Sequence, residues 1–343
     1  MAEDDEGLTY ADAGVDIAEE AATVESLVGE LTTGREGPVQ PVDVPGHFAG
    51  AVRLGDVALV MCTDGVGSKV VVADALGDWS TIGIDCLAMN VNDAVCLGAE
   101  PVAFVDYLAL EEHREGFAEQ IGAGLAAGAR QANVAILGGE TATLPDVVQG
   151  FDIAGTCLAQ APADDMVTGE AIEPGDTIVG LPSSGIHSNG LTLAREAMAE
   201  ADIGYRDTVP EVDRAFGEEL LEPTRLYVQQ ALQLVDRVDV HGLVHVTGGG
   251  VHNLPRMRSD VSYRLDDPPE PPGVFQAIAR MGKVSEDELY QTFNMGVGFA
   301  AVVDEADVDE ALEVWDEGFV WGQVDVGEGV AIPDRDLRFD PDP

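Results

Sequence analysis

Continuous apolar runs alternate with amphipathic stretches over most of the chain. VALVMCT, residues 57 to 63, is an unbroken apolar run after a glycine turn, the pattern of a strand buried on both faces. Between Ser80 and Gly98, the residues Ile82, Leu87, Val91 and Val95 recur near helical spacing, and Gly98 with Pro101 beyond it supplies a helix stop. PVAFVDYLAL (101–110) reads as a strand, 113–132 as an alanine-rich helix, and VAILGG (134–139) and FDIAGTCLA (151–159) as two further strands. A second series follows: TIVGLP (177–182), a helix over 224–238, GLVHVT (242–247), a helix near Gln276, and strands over 298–303 and 319–326. Strands alternating with helices predict an α/β layer architecture. The polar, Pro- and Gly-punctuated stretch 161–176 separates the two series. The first forty-odd residues show only a short amphipathic stretch, Ile17 to Leu31, and read as a partly ordered arm. The expected division is therefore an arm over 1–45 and α/β domains over 46–165 and 166–343.

Composition narrows the possible partners. With 17 Lys plus Arg against 64 Asp plus Glu, the formal net charge is −47. Such a surface repels phosphate backbones and anionic lipids, which excludes nucleic-acid and membrane-surface binding as expected roles. No apolar run approaches the roughly 20 residues that span a bilayer. The acidic start MAEDDEG is unlike a secretory signal, so a cytoplasmic location is expected. Cys62, Cys86, Cys96 and Cys157 form no C-x-x-C pair and read as small buried hydrophobes. Only two lysines occur, Lys69 and Lys283. At molar salt the Debye length is about 3 Å, so an acidic shell of this density predicts a salt-adapted, halophilic protein.

Five glycine-bearing segments, each read as following a strand, are candidates for chemistry. In TDGVGSK, Gly65 and Gly67 admit an anion to the backbone, Ser68 adds a hydroxyl, Asp64 suits a hydrated Mg²⁺ and Lys69 suits phosphate charge. The alternative there is a tight turn with a solvated lysine. MNVND sets Asn90 and Asp93 on one helix face, able together with Asp85 to complete an oxygen-rich magnesium site with Asp64; the alternative is an N-cap or surface carboxylate, the favoured reading for Asp85 alone. GGET offers Gly138, Gly139 and Glu140 at a strand end, for a metal or ribose hydroxyl or as a plain turn. SSGIHSNG offers Ser184, Ser188 and Asn189 to a phosphate, and ranks His187 first of six histidines for moving a proton. Thr247, Gly248, Gly249 and Gly250 allow a ligand close to the main chain or form a hinge. His241 and His245 beside them read as residues that pack or hydrogen-bond within the strand. Asn294 in TFNMGVG contributes an amide contact or caps its turn.

In this order, YADAGVDI, TDGVGSK, TIGIDCLAMNVND, GAEPVAFVDYLA, GGETATLP, FDIAGTCLA, SSGIHSNG, EPTRLYV, HVTGGG, NLPR and TFNMGVG resemble the phosphoribosylformylglycinamidine cyclo-ligases, the aminoimidazole ribonucleotide synthetases. The likeness spans nearly the whole chain. TDGVG and ND belong to the wider superfamily, which includes thiamine-monophosphate kinase, the alternative reading; AGVDI, SSGIHSNG, EPTR and TFNMGVG are more specific. Ser68, Thr143, Phe151 and His252 stand where the family usually has Thr, Glu, Tyr and Glu. The resemblance implies a two-domain PurM-like fold of mixed α/β sheets. Its N-terminal ATP-binding sheet pairs across a homodimer, and its C-terminal α/β domain is the larger. It also implies ATP- and Mg²⁺-dependent closure of the imidazole ring of formylglycinamidine ribonucleotide in purine biosynthesis, through an iminophosphate, with ADP and phosphate released. On that basis Asp64 and Asp93 are expected at Mg²⁺ and Lys69 at ATP phosphates or developing charge. Gly65, Gly67, Ser68, Asn90, Gly138, Gly139 and Glu140 are expected at the nucleotide. Ser184, Ser188, Asn189, Thr247 to Gly250 and Asn294 are expected at the substrate phosphate, with His187 handling protons. A non-catalytic nucleotide-binding regulator is the reading from another class.

Overall fold

The computed structural model describes residues 7–15, 17–31, 34–44 and 46–341. Met1 to Glu6, which carry the acidic start, lie outside the described residues, as do Asp16, Thr32, Thr33, Pro45, Asp342 and Pro343. Two sheets organise the chain. The first contains β1 (Gln40–Val42), β2 (Gly50–Leu54), β3 (Val57–Gly65), β4 (Glu100–Leu110), β5 (Ala135–Thr143) and β6 (Phe151–Pro162). Its order is β1-β2-β3-β6-β4-β5, with β4 and β5 parallel and every other pair antiparallel. The second contains β7 (Thr177–Pro182), β8 (Val240–His245), β9 (Ser262–Arg264), β10 (Val297–Val303), β11 (Phe319–Asp325), β12 (Gly329–Ile332) and β13 (Leu337–Phe339). It runs β13-β12-β9-β11-β7-β10-β8, and only β9 and β12 pair in parallel.

Ten α-helices accompany the sheets among the described residues: α1 (Ile17–Glu30), α2 (Lys69–Leu76), α3 (Ile82–Val95), α4 (Phe117–Ala132), α5 (Leu191–Glu200), α6 (Phe216–Leu220), α7 (Val228–Val235), α8 (Gly273–Gly282), α9 (Glu286–Thr292) and α10 (Val308–Val314). The central one is α3. Every residue of it except Ile84 is buried, because β3 and β6 cover one side and α4, α7 and β8 the others. A helix enclosed in this way must find hydrogen-bond partners for its polar side chains. It carries four, Asp85, Asn90, Asn92 and Asp93, and all are buried.

Several expectations need correction. The VALVMCT strand is buried on one face only: Ala58, Val60 and Cys62 point into the core, while Val57 and Met61 are exposed. Among the described residues no helix packs over the opposite face of the first sheet, where Met61, Val105 and Tyr107 are exposed. GGET does not follow a strand but lies inside β5, an exposed edge strand. There the pairing with β4 shifts from Ile136 opposite Phe104 to Gly138 opposite Val105, leaving Leu137 as an extra residue. Gly138 absorbs this bulge with φ +151°. The arm is not separate throughout, since its residues 40–42 form β1 and pair with β2. The helix expected over 224–238 is shorter, α7, because Thr224 to Tyr227 are held by side chains of α3 instead of by their own helix.

Candidate active site

The site begins with α3 holding the end of β3. Asn90 gives both ends of its amide to the Asp64 backbone: Oδ1 accepts the Asp64 N–H at 3.0 Å, and Nδ2 donates to the Asp64 carbonyl at 3.0 Å and to the Cys86 carbonyl at 2.8 Å. Asn90 is therefore committed to placing Asp64 and has no amide group left for a nucleotide. The Asp64 carboxylate accepts the Gly65 N–H at 2.6 Å. Burial, and then the negative charge of Asp93, push its acid up to about 6. Asp93 itself is bonded to His245 Nδ1 at 2.9 Å.

Loops from the second unit close onto this corner. A Cβ on Gly67 would lie 3.6 Å from the Ser188 carbonyl oxygen, and the Ser68 hydroxyl is 2.8 Å from that of Thr192. A Cβ on Gly248 would lie 2.9 Å from Asn189 Oδ1. Asn253 braces the glycine loop, accepting the Thr247 N–H at 2.7 Å and donating to the Gly248 carbonyl at 3.1 Å. Asn294 donates to the Gly185 carbonyl at 2.9 Å and accepts the Gly296 N–H at 2.9 Å, so it shapes the SSGIHSNG loop from behind. Asp64, the Gly67 turn, Asn189 and the Thr247–Gly250 loop thus converge. Among the described residues, no acceptor meets the N–H groups of Gly67, Ser68, Gly248 or Gly249. Backbone N–H groups concentrated at loops and at the start of α2 are suited to anionic oxygens.

Five expectations meet a different placement in the structure. Lys69 is fully buried, not solvated: Nζ is 2.9 Å from Asp85 Oδ1 and 2.6 Å from the Glu222 carbonyl. Its helix starts at Lys69 and turns the amine inward, onto Asp85 and the Glu222 carbonyl. Asp85, expected at the surface, is its buried partner; the same Oδ1 accepts the Thr224 N–H and hydroxyl, both at 2.7 Å, and the Ser188 hydroxyl at 3.2 Å. Ser184 donates its hydroxyl to the Pro223 carbonyl at 2.7 Å, and the buried Ser188 hydroxyl lies 3.2 Å from Asp85 Oδ1 and 3.0 Å from the Thr224 hydroxyl, so both are engaged within the protein. His187 is buried with φ +62° and faces Tyr227 and His245; its Nε2 accepts the Ser184 N–H at 3.2 Å. Burial first, with the nearby positive charges of Lys69 and Arg225 adding to it, holds the ring well below its ordinary range. Enclosed in this way, the imidazole braces the SSGIHSNG loop from within. Gly138, Gly139 and Glu140 sit three strands from β3, roughly 14 Å away at about 4.8 Å per strand, and do not reach this corner.

The donor set fits Mg²⁺ held jointly with a ligand. Among the described residues, no group of three or more His, Cys, Asp and Glu is arranged to hold a metal ion alone. Asp64 and Asp93 supply two carboxylates, and Mg²⁺ typically completes its shell with water and phosphate oxygens. Sequence reading missed Arg256, whose charge is felt by both carboxylates. Its Nε donates to the Gly46 carbonyl at 2.8 Å, and its guanidinium stacks 3.8 Å from the Phe48 ring centroid. NLPR contains it, but a guanidinium in a motif does not reveal which carboxylates it will face. His241 and His245 bond to Asp176 and Asp93 rather than within their own strand.

The family description "AIR synthase related protein, N-terminal domain" matches residues 46–161, and its C-terminal counterpart matches 173–333. A phosphoribosylformylglycinamidine cyclo-ligase of Methanosarcina mazei is 48% identical over 95% of this chain and 97% of its own length. One of Methanococcus vannielii is 45% identical over 93% of this chain and 92% of its own. The chain belongs to the phosphoribosylformylglycinamidine cyclo-ligase family. The fold is also that of the HypE-HypF complex structure, with a TM-score of 0.66 at 17% identity, covering 93% of this chain and 98% of that one. For the family, the structure shows that the Lys of TDGVGSK and the Asp of TIGID can form one buried pair.

Proposed function

We propose that the protein closes the imidazole ring of formylglycinamidine ribonucleotide, using ATP and releasing ADP and phosphate, in purine biosynthesis. The observation that carries this reading is identity of 45 to 48% over nearly the whole chain with relatives named for this cyclo-ligation. The geometry supports it. Asp64 and Asp93 would hold Mg²⁺, which when bound neutralises phosphate oxygens. The free N–H groups of Gly67, Ser68, Gly248 and Gly249, with Asn189, would seat phosphoryl oxygens of nucleotide and substrate. An amide oxygen is a poor leaving group; moving the γ-phosphoryl onto it gives an iminophosphate whose carbon the neighbouring nitrogen attacks, and phosphate departs. The residues then act by placing reactants and balancing charge rather than by a covalent step of their own.

The division into an arm over 1–45 and domains over 46–165 and 166–343 belongs to the same reading. So does a homodimer formed through the open face of the first sheet, where Met61, Val105, Tyr107 and Leu137 are exposed. In such a dimer the GGET edge would lie at or near the partner. No helix among the described residues is long and apolar enough to cross a membrane, and we place the enzyme in the cytoplasm of a salt-rich cell. The test is incubation in concentrated KCl with ATP, Mg²⁺ and formylglycinamidine ribonucleotide. One ADP and one aromatic amine per substrate are expected. ATP consumption with thiamine monophosphate and none with formylglycinamidine ribonucleotide would overturn the assignment, and nucleotide binding without turnover would reduce the chain to a regulator.

A further inference from the structure

We infer that His245 is a positioning residue for Asp93: a neutral imidazole, fixed as its Nδ1–H tautomer by Asn92, that occupies one carboxylate oxygen and leaves the other for the cation. The inference rests on the reading of Asp93 as a Mg²⁺ ligand and adds to it a residue from the other half of the chain.

The orientation of the Asn92 amide is forced. Asn92 Oδ1 lies 2.9 Å from the Tyr227 backbone nitrogen, and Asn92 Nδ2 lies 2.9 Å from the Arg225 carbonyl oxygen. Only one orientation makes both bonds; the reverse sets N–H against N–H and oxygen against oxygen. Nδ2 has one hydrogen left, and its third neighbour is His245 Nε2 at 3.3 Å. Nε2 must therefore be the lone-pair nitrogen. The ring proton sits on Nδ1, which is 2.9 Å from Asp93 Oδ1 and donates to it. A hydrogen on Nε2 would point at the Asn92 NH₂ group, so the geometry places the ring hydrogen on Nδ1, donated to the Asp93 carboxylate.

The surroundings hold this ring in place. His245 ends β8 opposite Phe299 and is fully buried, with Tyr227, His187 and Phe299 ring centroids at 6.4, 6.4 and 6.5 Å. Metal-binding groups whose remaining polar atoms are fixed by outer hydrogen bonds bind more tightly, and loss of such a partner commonly weakens metal affinity about 10- to 100-fold. Here the usual arrangement is inverted: a carboxylate faces the cation, and a histidine orients it from behind. The chain of bonds runs from Tyr227 and Arg225 through Asn92 and His245 to Asp93. The aim of a carboxylate on α3 is thereby tied to the docking of the second sheet, and a wrongly docked half would misdirect the metal site.

Two measurements test the inference. In the full-length protein carrying ¹⁵N-labelled histidine, long-range ¹H–¹⁵N correlation is expected to show His245 protonated at Nδ1 and bare at Nε2; a ring protonated at Nε2 overturns the proposal. Mn²⁺ affinity in the presence of ATP, read by electron paramagnetic resonance, is expected to fall about 10- to 100-fold in His245→Phe. His245→Asn, whose amide N–H stands near the place of Nδ1, should recover most of that loss. Normal Mn²⁺ affinity in His245→Phe while Asp93→Asn loses it overturns the positioning role, as does a His245→Asn no better than His245→Phe. Unchanged affinity in Asp93→Asn overturns the metal reading and this inference with it. Should His245→Phe not fold, the tautomer and the His245→Asn affinity still decide.

Discussion

Lys69 and Asp85 are both at 0% side-chain exposure, which makes their pair costly to form and more costly to break. Each buried ion loses several kcal/mol of hydration, and the attraction offsets this only with good geometry and further hydrogen bonds. Four donors crowd onto Asp85 Oδ1, from Lys69, Ser188 and twice from Thr224, while its Oδ2 has no partner. Asp85→Ala leaves a buried ammonium and the Thr224 N–H unmatched, and is expected to cost about 3–5 kcal/mol in urea denaturation. Lys69→Met combined with Asp85→Leu should recover most of this loss, because it removes both charges and roughly keeps volume. An Asp85→Ala chain as stable as the parent would show that water reaches the pair. The rarity of lysine makes Lys69 conspicuous in the sequence, but rarity carries no direction. The amine turns inward because an eight-residue helix begins at that residue, and this is set by packing against α3 and the Glu222 carbonyl from far along the chain. Asp64 and Asp93 were legible because carboxylates beside glycines and on one helix face are local patterns. Asn92 and His245 were not, since their roles exist only once β8 has docked on α3.

At the level of elements, the long periodic stretches were legible and the short or shared ones were not. The helix over Ser80 to Gly98 and the strands around it follow from spacing alone, whereas α2, α6 and α9 are too short to show a period. What spacing could not show is how closely α3 and α4 cross. A Cβ on Gly83 would meet the Ile121 carbonyl oxygen at 2.3 Å and the Leu125 nitrogen at 2.4 Å, and one on Gly124 would meet the Ser80 oxygen at 2.8 Å. These are backbone atoms that cannot rotate away. Gly83→Ala must push the helices apart, at an expected cost of about 1–3 kcal/mol by thermal unfolding. Because α3 carries Asp85, Asn90, Asn92 and Asp93, turnover should fall more than stability predicts. A Gly83→Ala enzyme with full kcat would mean that α4 alone moves. The open sheet face gives the second prediction at this level. Tyr107 and Met61 stand exposed in its middle strands, so Tyr107→Glu with Met61→Glu should convert a dimer to a monomer by light scattering. A parent chain already monomeric at molar KCl would refute the dimer.

For the molecule as a whole, the decisive quantity is the net charge of −47. The arginines answer it only locally. Arg53 with Asp164, Arg237 with Glu310 and Arg280 with Glu211 are exposed pairs, each worth about 0–1 kcal/mol, and none of them removes the general repulsion. One of the two lysines is buried and adds nothing to the surface. If the protein is salt-adapted as proposed, the compact state gathers carboxylates that the unfolded chain would separate, and solvent ions supply the compensation. Raising ionic strength from 0.01 M to 1 M shortens the Debye length from about 30 Å to about 3 Å, less than the usual spacing of surface charges. The repulsion that opposes folding in dilute buffer should be largely removed over that range. The unfolding temperature is expected to rise by on the order of 10 °C or more between dilute and molar KCl, corresponding to several kcal/mol for a chain of this size. Most of the rise should come below 1 M, where screening changes fastest, and sodium chloride should act much as potassium chloride does. Sucrose, which stabilises by exclusion and not by screening, should give no comparable rise at matched osmolality. A midpoint indifferent to salt would mean that the acidic shell is already balanced within the fold, and the cell assigned to this enzyme would have to change.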